Sequence, residues 1–181
     1  MAAICVFCAS ANDIEQRWMD LATETGRQIG ARGHTLVSGG GCVGMMGAVA
    51  DGARAAGAYT LGIIPQSLVD MEVADTASDE LVVTDGMLSR KALMIEKSDA
   101  FLTLPGGLGT LDELFEVWTT GSLAIHRKPM VLVNTDGFYD GLLAWLRTLT
   151  DTRFVRERAL SGLIIADTLD DAFAAITPKI P

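Results

Sequence analysis

Apolar residues in this chain fall into short unbroken blocks, and longer stretches with a helical period lie between them. Ala3 to Ser10 (AICVFCAS), His34 to Ser38, Tyr59 to Ile64, Leu81 to Thr84, Ala100 to Leu104, Met130 to Val133 and Leu163 to Ala166 have the length of buried strands. Between them apolar positions return every three or four residues. Ile14, Trp18, Leu21, Thr25 and Ile29 mark a helix from Asn12-Asp13 to about Arg32, closed by Gly33, as a glycine just past a helix end does. A second helix runs to about Ala56 and stops at Gly57. A third, capped by Asp85, covers Met87 to Ser98 with Leu88, Ala92 and Ile95 on its apolar side. Leu111, Leu114, Phe115 and Trp118 mark the next, and helices over Tyr139–Thr150 and Leu169–Ile176 complete the series. Strand, short loop and helix alternate throughout, which predicts an α/β fold with a mainly parallel sheet flanked by helices, in a single domain over residues 1–181. Two segments break the pattern. Leu68 to Glu80, carrying Asp70, Glu72, Asp75, Asp79 and Glu80, reads as a solvated acidic loop, and Asp151 to Arg158 as an exposed charged turn.

Charge narrows the choice of partner. The formal net charge is −9, and no basic cluster exceeds the pairs Arg90-Lys91 and Arg127-Lys128. A nucleic acid polymer needs a basic footprint that this chain lacks. A small anion held by local amides and one or two cations remains compatible. The longest uncharged stretch, Gly33 to Ala50, is full of glycines and begins at a strand, so no membrane span or membrane partner is expected, and the expected location is cytoplasmic. Cys5 and Cys8 have C-x-x-C spacing, but residues three apart on a strand point to opposite faces. They read as free buried thiols, with Cys42 leaving the count odd. His34 and His126 are isolated, so no metal is expected.

The chemistry concentrates in two glycine-rich loops. After the strand ending at Leu104 comes Pro105-Gly106-Gly107-Leu108-Gly109-Thr110-Leu111-Asp112-Glu113, then the next helix. Glycines between a strand and a helix let a ligand approach the first helical amides, which bind phosphate. Thr110 and Glu113 also have the spacing of a capping box, in which Glu113 only reaches back to the Thr110 amide. Gly39-Gly40-Gly41-Cys42-Val43-Gly44 matches the dinucleotide fingerprint in letters, yet it follows the second strand and no acid closes the third. The two loops are expected to open at one carboxyl edge of the sheet and wall one crevice. Arg90-Lys91 lies early in its helix, where cations oppose the dipole and call for an anionic partner.

Pro105 through Glu113 matches P-G-G-x-G-T-x-x-E. With Met87-Leu88-Ser89-Arg90-Lys91 and Ser38-Gly39-Gly40-Gly41, the chain resembles the Lonely Guy family of cytokinin riboside 5′-monophosphate phosphoribohydrolases. The similarity runs from Ile4 to about Phe154. It implies a Rossmann-like fold, a homodimer with sites near the subunit interface, no metal or nicotinamide cofactor, and hydrolysis of the N-glycosidic bond of a nucleoside 5′-monophosphate, with AMP as a further substrate. It implies Arg90 and Glu113 as the essential pair. Substrate binding falls on Glu72, Lys91, Gly106, Gly107, Leu108, Gly109, Thr110, Leu111 and Asp112, with Gly40 and Gly41 from the other loop.

Three positions depart from the family pattern: Ala9 in Cys8-Ala9-Ser10 for a frequent glycine, Leu88 for a frequent histidine, and Asp112 for a frequent glutamate. Older names describe such chains as lysine decarboxylases, but no lysine here has a recognisable pyridoxal phosphate setting. In the expected reaction Glu113, kept ionised by the helix dipole, stabilises an oxocarbenium-like ribosyl group and orients water. Arg90 holds the nucleotide and assists departure of the base electrostatically. The large apolar residues Met94, Phe115 and Trp118 exceed what one sheet face covers and agree with a dimer. The rival readings are a molybdenum-cofactor carrier built on the same glycine turn and a regulatory module that binds nucleotide without turnover.

Overall fold

Seven apolar blocks become the strands of one sheet in which every pairing is parallel. The computed structural model describes residues 1–71 and 73–177. Strands β1 (Ala3–Phe7), β2 (Thr35–Ser38), β3 (Thr60–Pro65), β4 (Glu80–Thr84), β5 (Ala100–Thr103), β6 (Met130–Val133) and β7 (Ile164–Ala166) lie in the order β4-β3-β2-β1-β5-β6-β7. Chain direction through the sheet reverses at β1. Adjacent β1 and β5, in register from Ile4↔Ala100 to Phe7↔Thr103, therefore send their connections to opposite sides and leave a crevice at their carboxyl ends. This is the Rossmann-like arrangement expected above.

The helices are α1 (Gln16–Ala31), α2 (Gly44–Ala55), α3 (Gln66–Val69), α4 (Met87–Glu96), α5 (Leu108–Ser122), α6 (Asp140–Asp151), α7 (Glu157–Leu160) and α8 (Leu169–Ile176). Alternate strand residues face opposite sides. Ile4, Val6, Leu36 and Leu102 pack on one side with Trp18, Ala22, Ile29, Met45 and Phe173. Cys5, Phe7, Val37 and Phe101 pack on the other with Met94, Leu114, Val117 and Leu146. Both faces are covered, which is why the strands read as continuous apolar runs. Cys5 and Cys8 are free, buried and divided between the two faces, as the strand alternation predicts.

Several element ends differ from the sequence expectation. Strand β1 stops at Phe7, and Cys8-Ala9-Ser10 already belongs to the loop. Helix α1 starts at Gln16, because Asn12 is not its cap: its Oδ1 accepts the Gly44 N–H at 2.8 Å, tying the first loop to the start of α2. At α4 the cap position is Gly86 rather than Asp85, and Ser89 Oγ accepts the Gly86 N–H at 3.2 Å. Met94 and Trp118 are buried within the chain's own core, with Phe115 packed against it. They therefore do not form the apolar surplus expected for a dimer.

Candidate active site

The glycine-rich turn joins β5 to α5 at the crevice. Gly107 is the residue before the helix, and the first intrahelical bond runs from Leu111 N–H to Gly107 O at 3.0 Å. The amides of Leu108, Gly109 and Thr110 therefore precede the helical ladder, at the positive end of the α5 dipole. Gly106 must lack a side chain, since a Cβ there would collide with Thr110 Oγ1, whereas a Cβ at Gly107 or Gly109 would meet open space. The turn is held from both sides. Ala9 N–H donates to Pro105 O at 3.2 Å from the β1 loop, and Tyr139 Oη donates to Leu104 O at 2.8 Å from the start of α6. A cleft of about 460 Å³ opens beside it, lined by Ile14, Trp18, Met45 and Phe138 together with Gly106 and Gly107.

Glu113 is not a capping residue. Helix α5 begins well before Thr110, so Thr110 lies buried inside the first turn and Glu113 falls in the second. The Glu113 carboxylate instead meets Arg90 Nη1 at 3.0 Å, with side-chain exposures of 11% and 6%. Arg90 donates in three directions: to Glu113, to Ile63 O from Nε at 3.0 Å, and to Gly39 O from Nη2 at 3.1 Å. One guanidinium thus joins α4, the end of β3, the loop after β2 and helix α5. Gly39 is fixed as glycine by this contact, because a Cβ there would collide with Arg90 Nη2. Burial pushes the Glu113 carboxyl above its ordinary range, against the pull of Arg90. Desolvation thus acts against the ionised form that the helix dipole was expected to favour.

The remaining expected residues separate into groups. Lys91 Nζ is bound at 3.0 Å by both Asp112 and Glu116, so Lys91 and Asp112 belong to an ion network beside the Arg90–Glu113 pair. Leu108 is exposed at the helix start, while Leu111 is half-buried against the core. Gly40 and Gly41 lie at the same carboxyl edge, but their backbone groups are used internally. Gly40 N–H donates to Ser38 Oγ, Gly40 O accepts from Asp75 N–H at 2.8 Å, and Gly41 pairs with Ala74. Glu72 lies outside the described residues. The acidic segment is more than a solvated loop, since Asp75 is buried at 4% exposure. A second groove of about 440 Å³, lined by Phe115, Trp118, Phe154 and Arg156 among others, contains none of the expected site residues. No set of three or more His, Cys, Asp or Glu among the described residues has a metal-binding arrangement.

Sequence reasoning missed Tyr139, Gly39 as the partner of Arg90, and Asp75. Gly39 alone left a signal, as the first of three consecutive glycines at a strand end. Tyr139 and Asp75 act through contacts far away in sequence.

Comparison with known proteins decides the family. A family described as "Possible lysine decarboxylase" matches residues 46–176. A cytokinin riboside 5′-monophosphate phosphoribohydrolase of Mycobacterium tuberculosis is 50% identical over 176 residues, covering 97% of this chain and 94% of the relative. The chain belongs to the Lonely Guy family. The rice member, cytokinin riboside 5′-monophosphate phosphoribohydrolase LOG of Oryza sativa subsp. japonica, is 40% identical over 98% of this chain and 74% of its own length. The Lonely Guy fold reaches beyond the family. A molybdenum cofactor binding protein from Rippkaea orientalis superposes with a TM-score of 0.75 at 23% identity, covering 98% of this chain and 96% of the other. At that identity the likeness is one of architecture.

Proposed function

We propose that this chain hydrolyses the N-glycosidic bond of a purine riboside 5′-monophosphate of the cytokinin type, giving free base and ribose 5-phosphate, and that AMP is a further substrate. The observation that carries this reading is the buried Arg90–Glu113 pair one helical turn beyond amides open to an anion, in a chain whose named relatives are phosphoribohydrolases. The phosphate would rest on the Leu108, Gly109 and Thr110 amides, so that its binding energy fixes the ribose for reaction. The C1′–N9 bond breaks with its electron pair going to the base, which takes up a proton from solvent, and the ribosyl carbon gains positive charge until the water oxygen bonds to it. Glu113 opposes that charge as a carboxylate and takes a proton from the attacking water. A carboxyl raised by burial suits the second task better than an ordinary one. Three of its five N–H donors go to Gly39, Ile63 and Glu113, so Arg90 fixes the carboxylate and keeps two N–H groups with which to hold the nucleotide. No cofactor is invoked.

The same reading includes a cytoplasmic homodimer, with residues 1–181 forming one domain per subunit. Leu88 and Leu108 support the dimer: they are 79% and 88% exposed in the first turns of α4 and α5, beside the site, where a second copy would cover them.

Chromatography of isopentenyladenosine monophosphate and AMP after incubation with the protein tests the proposal. Free base should appear from both, and far faster than from adenosine, which lacks the phosphate. Tight binding with no base released would favour the carrier reading, and equal rates for AMP and adenosine would remove the phosphate cradle.

A further inference from the structure

Resting on that hydrolase reading, we infer that Asp75 is a positioning residue for the Arg90–Glu113 pair, acting through the glycine loop, and that Arg54 holds it in place. The Asp75 carboxylate lies under the surface of an acidic segment and accepts from Arg54 Nη1 at 2.7 Å, Ser78 Oγ at 3.1 Å and Ala77 N–H at 3.2 Å. Arg54 stands in the last turn of α2 and is steadied by Asp51 at 2.6 Å. The 73–75 stretch then grips the glycine loop by its backbone. Asp75 N–H donates to Gly40 O at 2.8 Å, Cys42 N–H donates to Val73 O at 2.9 Å, and Gly41 bridges Ala74.

The loop needs this grip. Gly39, Gly40 and Gly41 have no side chains to pack, so the backbone bonds set their position. Gly40 holds a positive φ of 71°, and a Cβ there would stand 2.9 Å from Ile64 Cβ, so the loop lies directly on β3. Gly39 O is one of the acceptors that orient Arg90, Ile63 O of the same β3 is another, and Arg90 carries Glu113. An unbroken series of contacts runs from Arg54 through Asp75, Gly40, Gly39 and Arg90 to Glu113. Neither Asp75 nor Arg54 touches the Arg90–Glu113 pair directly. Their influence on it is through where the Gly39 carbonyl stands.

Asp75→Asn keeps size and the bond from Ala77 to Oδ1, and its Nδ2 can donate to Ser78 Oγ, but it gives up the charge and the acceptor that hold Arg54. Arg54→Gln removes the same pair from the more exposed end, and Arg54→Lys keeps the charge. Two readouts separate positioning from simple stabilisation. Turnover in base release should fall roughly 10- to 100-fold in Asp75→Asn and Arg54→Gln, with KM changed far less, as expected when a reacting group is misplaced by a remote change. Arg54→Lys should recover most of it. Independently of activity, the Arg90 Nε–H resonance in a ¹⁵N-labelled sample, shifted in the parent by its bond to Ile63 O, should move or broaden in Asp75→Asn. A folded Asp75→Asn with parental turnover and an unmoved Arg90 resonance overturns the inference, whatever its melting temperature. If the parent protein releases no base, the hydrolase reading fails, and the resonance alone decides whether Asp75 positions Arg90.

Discussion

Arg90 and Glu113 share a 3.0 Å hydrogen bond in a place where both side chains are nearly closed to water. Burial raises the Glu113 carboxyl above the ordinary value of 4.5, and the proposed chemistry needs it ionised. Turnover should therefore rise with pH along an acid limb lying above 4.5. Glu113→Gln should bind nucleotide and fold, yet lose roughly two to four orders of magnitude in turnover. Base release followed across pH, with an affinity measurement on the variant, checks both. An active Gln variant would leave Glu113 structural.

The same carboxyl makes a separate statement about stability. A carboxyl raised on folding holds its proton more tightly in the native state, so its contribution is fully present below the unfolded value and is lost as pH rises through the folded one. Glu113→Gln carries no such loss. The melting temperature of Glu113→Gln relative to the parent should therefore climb as pH increases from about 4 to neutrality. Paired melts at several pH values read this difference directly, and a flat difference would mean that Arg90 cancels the burial effect.

Tyr139 supports the glycine-rich turn between β5 and α5. Its hydroxyl donates to Leu104 O at 2.8 Å, and burial pushes its pKa up, so it stays a neutral donor. Tyr139→Phe keeps the ring and should destabilise by about 1 kcal/mol, the usual worth of one hydrogen bond. Loosening of the turn should also weaken the grip on ribose 5-phosphate by roughly three- to tenfold, equivalent to about 1 kcal/mol. Calorimetric titration of ribose 5-phosphate measures it. A lowered melting temperature with unchanged affinity would confine Tyr139 to the core.

Leu88 tests the dimer. A carboxylate in place of an exposed leucine has no effect on a monomer's core but opposes a covered apolar contact. Light scattering should show a dimer for the parent and a smaller species for Leu88→Glu, with activity falling in step if the subunit interface shapes the site. A fully active parent monomer at micromolar concentration would end the shared-interface reading.

What could be read from the chain depended on how far each determinant reaches along it. The seven strands were legible because a parallel sheet covered on both faces demands unbroken apolar runs, and Ile4 to Phe7 or Ala100 to Thr103 satisfy that locally. Helix starts were less legible. Asn12 and Asp85 are good caps by type, but Asn12 is taken by Gly44 across 32 residues, and α4 opens on Gly86. The T-x-x-E spacing at Thr110 and Glu113 resembled a capping box because spacing does not reveal that the glycine turn starts the helix earlier. The acidic segment hid Asp75, since composition describes a stretch and not the one carboxylate in it that turns inward. The bond from Arg90 to Gly39 spans 51 positions, and no local pattern encodes it.

The bonds from Arg90 to the Gly39 and Ile63 carbonyls have a consequence for reading this architecture in other chains. They tie the ends of two strands, so replacing the arginine in a chain of this shape would disturb the scaffold as well as the pairing with Glu113. Glu113 has no comparable duty to the backbone. A chain that kept Arg90 and lost Glu113 would bury a cation without its counter-charge, and that cation would call for an anion from outside the chain.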